Sequence, residues 1–265
     1  MNGITLLCPN CASPLDEALR CAICHAAFRH DTVSGAVLLH SIPARDDAGT
    51  ATAWDEVWTA RETAAWGSNL RLRQRRQLFI ADRAATRVLE VGIGSGFNIA
   101  LVDASRIESY VGLDLSLPAL RQAHRTLSAV RVPHTLISCD VTKPLPLVGH
   151  FDTIFLFGIL YQFERYVDIL ASILDRHAGS GTVVYGAEPI HAIGSSYRIE
   201  RTEFLQFLRS RGDVRAWFME GLLCRAARKL RGPNWLVSPL ALQGTPSARR
   251  SPFAYYMQYV LQVDH

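Results

Sequence analysis

Lysine is nearly absent from this 265-residue chain: of its 28 basic residues only Lys143 and Lys229 are lysines. The rest are arginine, and with a formal net charge of only +4 this bias reads as base composition rather than nucleic-acid binding. Long apolar runs are also missing. No stretch approaches the roughly 18 uninterrupted apolar residues of a membrane span, and the N-terminus lacks the charged, apolar and cleavable arrangement of a signal peptide. A cytoplasmic protein with no membrane partner is expected. Cysteine is scarce outside the first 24 residues, where only Cys139 and Cys224 occur, so no radical-cluster spacing is available.

What is present is organised around residues 87–99, Arg-Val-Leu-Glu-Val-Gly-Ile-Gly-Ser-Gly-Phe-Asn-Ile. Val88, Leu89 and Val91 make the short apolar run of a parallel strand covered on both faces. Gly92, Gly94 and Gly96 then let the backbone bend and approach a ligand. Phe97, Ile99, Ala100 and Leu101 supply the buried face of a following helix. A dinucleotide fingerprint needs G-x-G-x-x-G, but here the third glycine falls one position early and Phe97 stands in its place. A carboxylate roughly 20 residues beyond such a turn is where ribose hydroxyls are held, and Asp114 can accept two hydrogen bonds from a cis-diol.

Glu90-x-Gly92-x-Gly94-x-Gly96, followed in register by Asp114, resembles the first motifs of the class I S-adenosylmethionine-dependent methyltransferases. The resemblance implies an α/β, Rossmann-like fold with a seven-stranded sheet, S-adenosylmethionine as cofactor and direct in-line methyl transfer. It implies cofactor contacts from Glu90, Gly92, Gly94, Gly96, Asp114 and Leu115. It adds Cys139, Asp140 and Val141 at the end of a third strand, with Asp140 at the position that binds the adenine amino group, and Phe157 at the end of a fourth. The sulfonium already activates its methyl group, so no nucleophilic side chain is required.

The downstream pattern alternates regularly. Ser116 caps a helix with Pro118 in its first turn, running to Ala129. Strands are expected over 134–140, 151–157 and 179–188, helices over 164–177 and 202–211, and a terminal hairpin from 214–219 and 254–263. Residues 221–252 form an insertion between the hairpin strands, read as a lid. Residues 190–200, with Ser195, Ser196, Tyr197 and Arg198, are a second substrate-loop candidate.

Residues 157–163, Phe-Gly-Ile-Leu-Tyr-Gln-Phe, resemble the Gly-Val-Leu-Tyr-His-Phe pattern of small-molecule methyltransferases and some RNA-modifying relatives. Gln162 replaces the histidine. The Asn/Asp-Pro-Pro-Tyr run with which many relatives accept an exocyclic amine is absent. Candidate catalytic residues are therefore Tyr161, Glu188 and His191, the last two just beyond a strand end where open sheets bind ligands. Each has a structural alternative: ring packing for Tyr161, a loop cap or a solvent-facing position for Glu188 and His191.

The chain opens with Cys8-Pro-Asn-Cys11 and Cys21-Ala-Ile-Cys24, two C-x2-C knuckles expected to hold a structural Zn2+. Pro14, Asp16 and Glu17 make the hairpin between them. Cys21-x3-His25 also has ligand spacing and competes with Cys24, although the four cysteines are preferred. Core candidates are Leu6, Leu7, Leu15, Leu19, Ile23 and Phe28, so the metal should supply most of the folding energy. The expected division is a zinc ribbon over 1–40, with a polar linker at 41–50, and a methyltransferase domain over 41–265. That architecture resembles the bacterial ribosomal-RNA guanine N1-methyltransferases, in which the zinc module helps recognise RNA. Helices are expected over 53–83, with Trp54, Val57 and Trp58 on one face, Trp66 following, and Arg71, Arg73, Arg75 and Arg76 on a solvated basic face.

Three functions follow in order of preference. The first is methyl transfer to a small-molecule metabolite, the second an RNA base methyltransferase guided by the ribbon, and the third a non-catalytic cofactor-binding partner protein.

Overall fold

The computed structural model describes residues 4–39, 55–56, 59, 86–189, 199–219 and 256–264. The expectations for the 41–50 linker, Trp54, Val57, Trp58 and Trp66, the Arg71 to Arg76 face, His191, Ser195 to Arg198, and the 221–252 insertion with Cys224 lie outside the described residues. The chain forms two compact units, Met1–Ile154 with Ser172–Gly179, and Phe155–Ala171 with Ser180–His265.

In the first unit the strands are β1 (Thr5–Leu6), β2 (Arg29–His30), β3 (Val37–Leu38), β4 (Arg87–Val91), β5 (Ser109–Asp114), β6 (His134–Ser138), β7 (Leu147–Val148) and the first half of β8 (Phe151–Phe157). Helix α1 spans Leu117–Ala129. The strand order is β8-β4-β5-β6-β3-β2, with β4, β5, β6 and β3 parallel, while β1 pairs antiparallel with β7. Val88, Leu89, Tyr110, Val111, Leu113 and Ile137 are all buried, as a sheet covered on both faces requires. Thr86 Oγ1 and the Arg87 N–H both donate to Asp152 Oδ2, at 2.7 and 2.9 Å, tying the start of β8 to that of β4.

Ser116 caps α1 as expected, its hydroxyl accepting from the Ala119 N–H at 3.4 Å, a cap worth about 1 kcal/mol. Ala119, Leu120, Ala123 and Leu127 make its buried stripe. After the glycine turn the structure differs from expectation. Phe97–Leu101 forms a five-residue 3₁₀ helix, ended by extended Val102 (φ −119°, ψ 159°). Asp103 then caps a second short turn by accepting from the Ser105 N–H at 3.0 Å, so a full α-helix has no room to propagate.

The N-terminal segment is built into this unit. Val37 and Leu38 pair with Ile137 and Ser138, and Thr5 and Leu6 pair with Val148 and Leu147. Asp31 is buried and takes two hydrogen bonds from Arg121 on α1, at 3.2 and 2.7 Å. That guanidinium holds the Asp31 carboxyl well below the usual carboxylate range, with the Ser34 hydroxyl and N–H assisting. Ile23, a core candidate by sequence, is instead 69% exposed, because it sits at the tip of its knuckle.

The second unit holds the rest of β8, β9 (Ala178–Pro189) from Ser180 onward, β10 (Gly212–Met219) and β11 (Tyr256–Val263), in the order β10-β11-β9-β8. Helix α2 spans Tyr166–His177 and belongs to this unit up to Ala171, and α3 spans Arg201–Arg209. The expected terminal hairpin is present, with β11 antiparallel to both β10 and β9. Gly186 faces Tyr259, whose ring carbon lies 2.1 Å from where a Cβ would stand, so the absence of a side chain there lets the ring cross the strand. Phe204 of α3 meets Tyr259 edge-on, with centroids 5.3 Å apart.

Strands β4, β5, β6, β8, β9, β10 and β11 supply the seven of the expected Rossmann-like sheet, and β3 and β2 extend it. Among the described residues no helix is long and apolar enough to cross a membrane.

Candidate cofactor site and metal centre

The turn after β4 is held in a left-handed conformation at all three glycines, with φ of 71° at Gly92, 54° at Gly94 and 70° at Gly96. Gly96 has a second constraint, since a Cβ there would lie 3.1 Å from the Ala123 backbone on α1. The N–H groups of Gly92 and Ile93 donate to the Leu113 carbonyl at 2.8 and 2.9 Å, and Gly94 N–H donates to Asp114 Oδ2 at 2.9 Å. Thr126 on α1 adds a hydrogen bond to the Ser95 carbonyl at 2.8 Å.

Glu90 is buried, and its two oxygens accept from Asn98 Nδ2 and the Tyr110 hydroxyl. Burial and this neighbouring carboxylate push the Tyr110 phenol well above its ordinary value. The acidic residue of the motif therefore braces the turn from beneath. Asn98 and Tyr110 escaped the sequence reading, although a polar Asn98 inside the apolar Phe-Asn-Ile run was a usable signal.

Asp114 ends β5. Its Oδ1 accepts from the Ser116 N–H at 2.9 Å, and burial lifts the carboxyl to about 6 against the opposing backbone donors. The Cys139 N–H donates to the Asp114 carbonyl at 3.1 Å, which brings the end of β6 alongside. Cys139 is buried, and desolvation raises its thiol further from ionisation, consistent with packing rather than nucleophilic use. Asp140 Oδ1 accepts from the Thr142 N–H and hydroxyl at 2.9 and 2.7 Å, and its other oxygen faces the Lys143 ammonium at 3.5 Å. Val141 is buried and Leu115 half-buried. Gly92, Gly94, Gly96, Asp114, Leu115, Cys139, Asp140 and Val141 thus share the carboxyl edge of β4, β5 and β6. That edge is where open parallel sheets bind ligands, and a carboxylate among apolar groups fits a nucleoside with a free diol.

The second unit carries Phe157, a cofactor candidate, and the catalytic candidates Glu188 and Tyr161. Phe157 is buried at the end of β8, and Gly158 N–H donates to the Ala187 carbonyl at 2.8 Å. Glu188 is fully buried and accepts from three successive backbone N–H groups, Ile159 at 3.2 Å, Leu160 at 3.1 Å and Tyr161 at 3.2 Å. Burial raises its carboxyl to about 8, against those donors. The structure puts Glu188 in the loop-cap position, locking the 3₁₀ turn Leu160–Gln162 on which the half-buried Tyr161 sits. Gln162, at the position of the missing histidine, folds back so that its Nε2 donates to the Gly158 carbonyl at 3.0 Å.

The four knuckle cysteines come together, with all Sγ atoms within 4.8 Å of one another. Cys8 Sγ lies 3.4 Å from Cys24 Sγ, and Cys11 Sγ 3.4 Å from Cys21 Sγ. The two knuckles repeat one geometry. Ala12 N–H donates to the Cys8 carbonyl and His25 N–H to the Cys21 carbonyl, with Ala12 at φ 57° and His25 at φ 59°. His25 therefore plays the part of Ala12, closing its knuckle through its backbone, and the structure gathers Cys24 instead. Two pairs of thiols, four ligands in all, fit a closed tetrahedral site. Cys24→Ser should abolish binding of one Zn2+ per chain, while His25→Ala should retain it. Metal analysis of the purified variants checks both, and loss of zinc in His25→Ala would reinstate the imidazole as ligand.

Comparisons with known proteins agree with this geometry. A family described as methyltransferase domain matches residues 88–181. The tRNA U34 carboxymethyltransferase of Psychromonas ingrahamii is 28% identical over 137 residues, 49% of this chain and 42% of that protein. That of Shewanella baltica is 32% identical over 99 residues, 37% of this chain and 30% of that protein. The chain thus spans less than half the length of these curated relatives. Among solved structures, the magnesium protoporphyrin IX methyltransferase of Synechocystis PCC 6803 with bound S-adenosylhomocysteine has a TM-score of 0.54 at 11% identity, covering 83% of this chain and 100% of that one. A plantazolicin methyltransferase has a TM-score of 0.50 at 13% identity, covering 83% and 93%. Both are likenesses of fold. Residues 88–181 therefore belong to the methyltransferase domain family, and the chain is built on the class I S-adenosylmethionine-dependent methyltransferase fold.

Proposed function

We propose that the chain is an S-adenosylmethionine-dependent methyltransferase that methylates a small-molecule acceptor by direct in-line transfer. The observation that carries the cofactor half is the lock between the left-handed glycine turn and Asp114, whose carboxylate receives the Gly94 N–H and stands ready for a ribose diol. Bound S-adenosylmethionine supplies a methyl group already activated on a sulfonium. Asp114 orients the nucleoside, with Leu115, Cys139 and Val141 as apolar walls and Asp140 at the rim. Glu90 acts through the turn it braces.

On the acceptor side Glu188 fixes the backbone of residues 159–161 and so positions Tyr161. The Gly158 carbonyl accepts the Gln162 amide and keeps a second lone pair. The absence of an Asn/Asp-Pro-Pro-Tyr run after β8 favours a compact acceptor over the exocyclic amine of a base. His191 and the 221–252 insertion are assigned to the acceptor mouth from sequence position. The four thiolates hold a structural Zn2+, and a reducing cytoplasm is the compartment that keeps them from pairing.

A second reading, RNA modification guided by the metal module, is favoured by the sequence relatives, which are tRNA U34 carboxymethyltransferases. Labelled methyl transfer from S-adenosylmethionine into separated small-molecule and unmodified RNA fractions of the source cell distinguishes the two. Label should enter the small-molecule fraction. Incorporation into RNA, with an association that weakens steeply with salt, would replace the first reading by the second.

A further inference from the structure

The N-terminal module does not sit beside the sheet as a separate piece but holds both ends of one loop. Residues 139–146 leave β6 carrying Cys139, Asp140 and Val141, and return through Leu145 and Pro146 to β7. At the leading end Leu39 N–H donates to the Ser138 carbonyl at 3.1 Å, completing the β3–β6 pairing that follows the second knuckle. At the trailing end Leu7 N–H donates to the Pro146 carbonyl at 2.9 Å, completing the β1–β7 pairing that leads into the first knuckle. Leu39, Leu145 and Leu147 are buried, while Thr142, Lys143 and Pro144 between them are exposed. The loop is pinned at its feet and open at its crest.

A third attachment reaches the glycine turn. Asp31 grips Arg121 on α1, and the same helix touches Gly96 through Ala123 and Ser95 through Thr126. β1 and β3 are two residues long each, too short to persist without the fold that joins them. The four thiols that join them belong to a segment with few buried apolar residues, in which metal binding supplies much of the folding free energy.

We infer that the metal module is a positioning element of the cofactor site: by closing the knuckles it sets the shape of residues 139–146 and the seat of α1, so that loss of the metal weakens cofactor binding. This rests on the cofactor reading above and extends it to the module. Residues Asp31 and Arg121 are its positioning residues.

The test uses the full chain and S-adenosylhomocysteine as probe, with affinity read by calorimetry and amide hydrogen exchange followed over 139–146. Chelator treatment should weaken binding tenfold or more and raise exchange in that loop, and one equivalent of Zn2+ should restore both. Asp31→Asn and Arg121→Gln, which leave the thiols intact, should keep the metal yet bind three- to tenfold more weakly. Leu208→Ala, destabilised in the second unit, should bind like the wild type. Unchanged affinity in a stripped chain that keeps its circular dichroism would overturn the inference. If the stripped chain unfolds, wild-type affinity in both metal-retaining variants would do the same. Failure of the metal-loaded wild type to bind the probe would sink the cofactor reading and this inference with it.

Discussion

Asp114→Ala should weaken S-adenosylhomocysteine binding by about 100-fold or more. Hydrogen bonds to a charged group contribute roughly 1.5–3 kcal/mol each, and a diol makes two, against about 1.4 kcal/mol per tenfold in affinity. The substitution also removes the acceptor of the Gly94 N–H and so loosens the turn itself. Asp114→Asn should lose less, because one oxygen survives, although its amide must face either the Gly94 or the Ser116 N–H. Calorimetry on variants with unchanged circular dichroism provides the measurement. Wild-type affinity in the Ala variant would remove Asp114 from the site.

The pH dependence has a definite sign. Burial lifts Asp114 to about 6, above its unfolded value, so its contribution to fold stability is fully present below that unfolded value and is lost as pH rises through about 6. Cofactor affinity should run the other way over the same window. The ionised carboxylate accepts the diol better, so wild-type binding should strengthen from pH 5 to 7. The Asn variant should show no such slope.

Glu188→Ala should destabilise the protein by about 3 kcal/mol or more, since three buried N–H groups lose their acceptor at roughly 1–3 kcal/mol each. For a chain of this size that corresponds to a fall in Tm of about 6–12 °C. Glu188→Gln should be milder, keeping one acceptor oxygen but turning an amide toward one of the donors. The carboxyl is raised to about 8, so its stabilising contribution is complete below its unfolded value and fades as pH rises through 8. Wild-type Tm should therefore fall more steeply from pH 6 to 9 than that of the Gln variant. Thermal melts across that range, paired with turnover, decide the role. Loss of turnover in the Gln variant at unchanged stability would make Glu188 a proton acceptor instead of a cap.

The two carboxylates show how far residue patterns reach. Both stand at strand ends, and from sequence both were candidates to face a ligand. Asp114 stays at the sheet edge because the Ser116 N–H, two residues on, and the Gly94 N–H, brought alongside from the turn after β4, hold its carboxylate there. Glu188 becomes a loop cap instead, because the chain after β8 folds back and presents three N–H groups to it. Those donors lie 27 to 29 residues away, and nothing in local spacing records such a meeting. Glu90 went the same way, drawn under the turn by Tyr110 from the neighbouring strand and Asn98 from the 3₁₀ helix.

Sequence alone determined the features governed by short-range rules. The left-handed turn follows from glycine at every second position, 92, 94 and 96, the α1 cap from Ser116 with Pro118 behind it, the strands from apolar runs, and the thiol set from two C-x2-C knuckles. The tertiary structure decided whatever depends on partners distant in the chain. It gathered the Cys24 thiol with the other three and closed each knuckle through a left-handed residue, Ala12 in one and His25 in the other. It shortened the helix after the glycine turn, and it tied the N-terminal segment to the sheet through β3, to β7 through β1 and to α1 through the Asp31–Arg121 pair. The physical reason is common to all three. Local propensity acts over one or two turns, whereas a buried carboxylate, a thiol cluster or an unpaired strand edge must find its partners wherever the fold brings them.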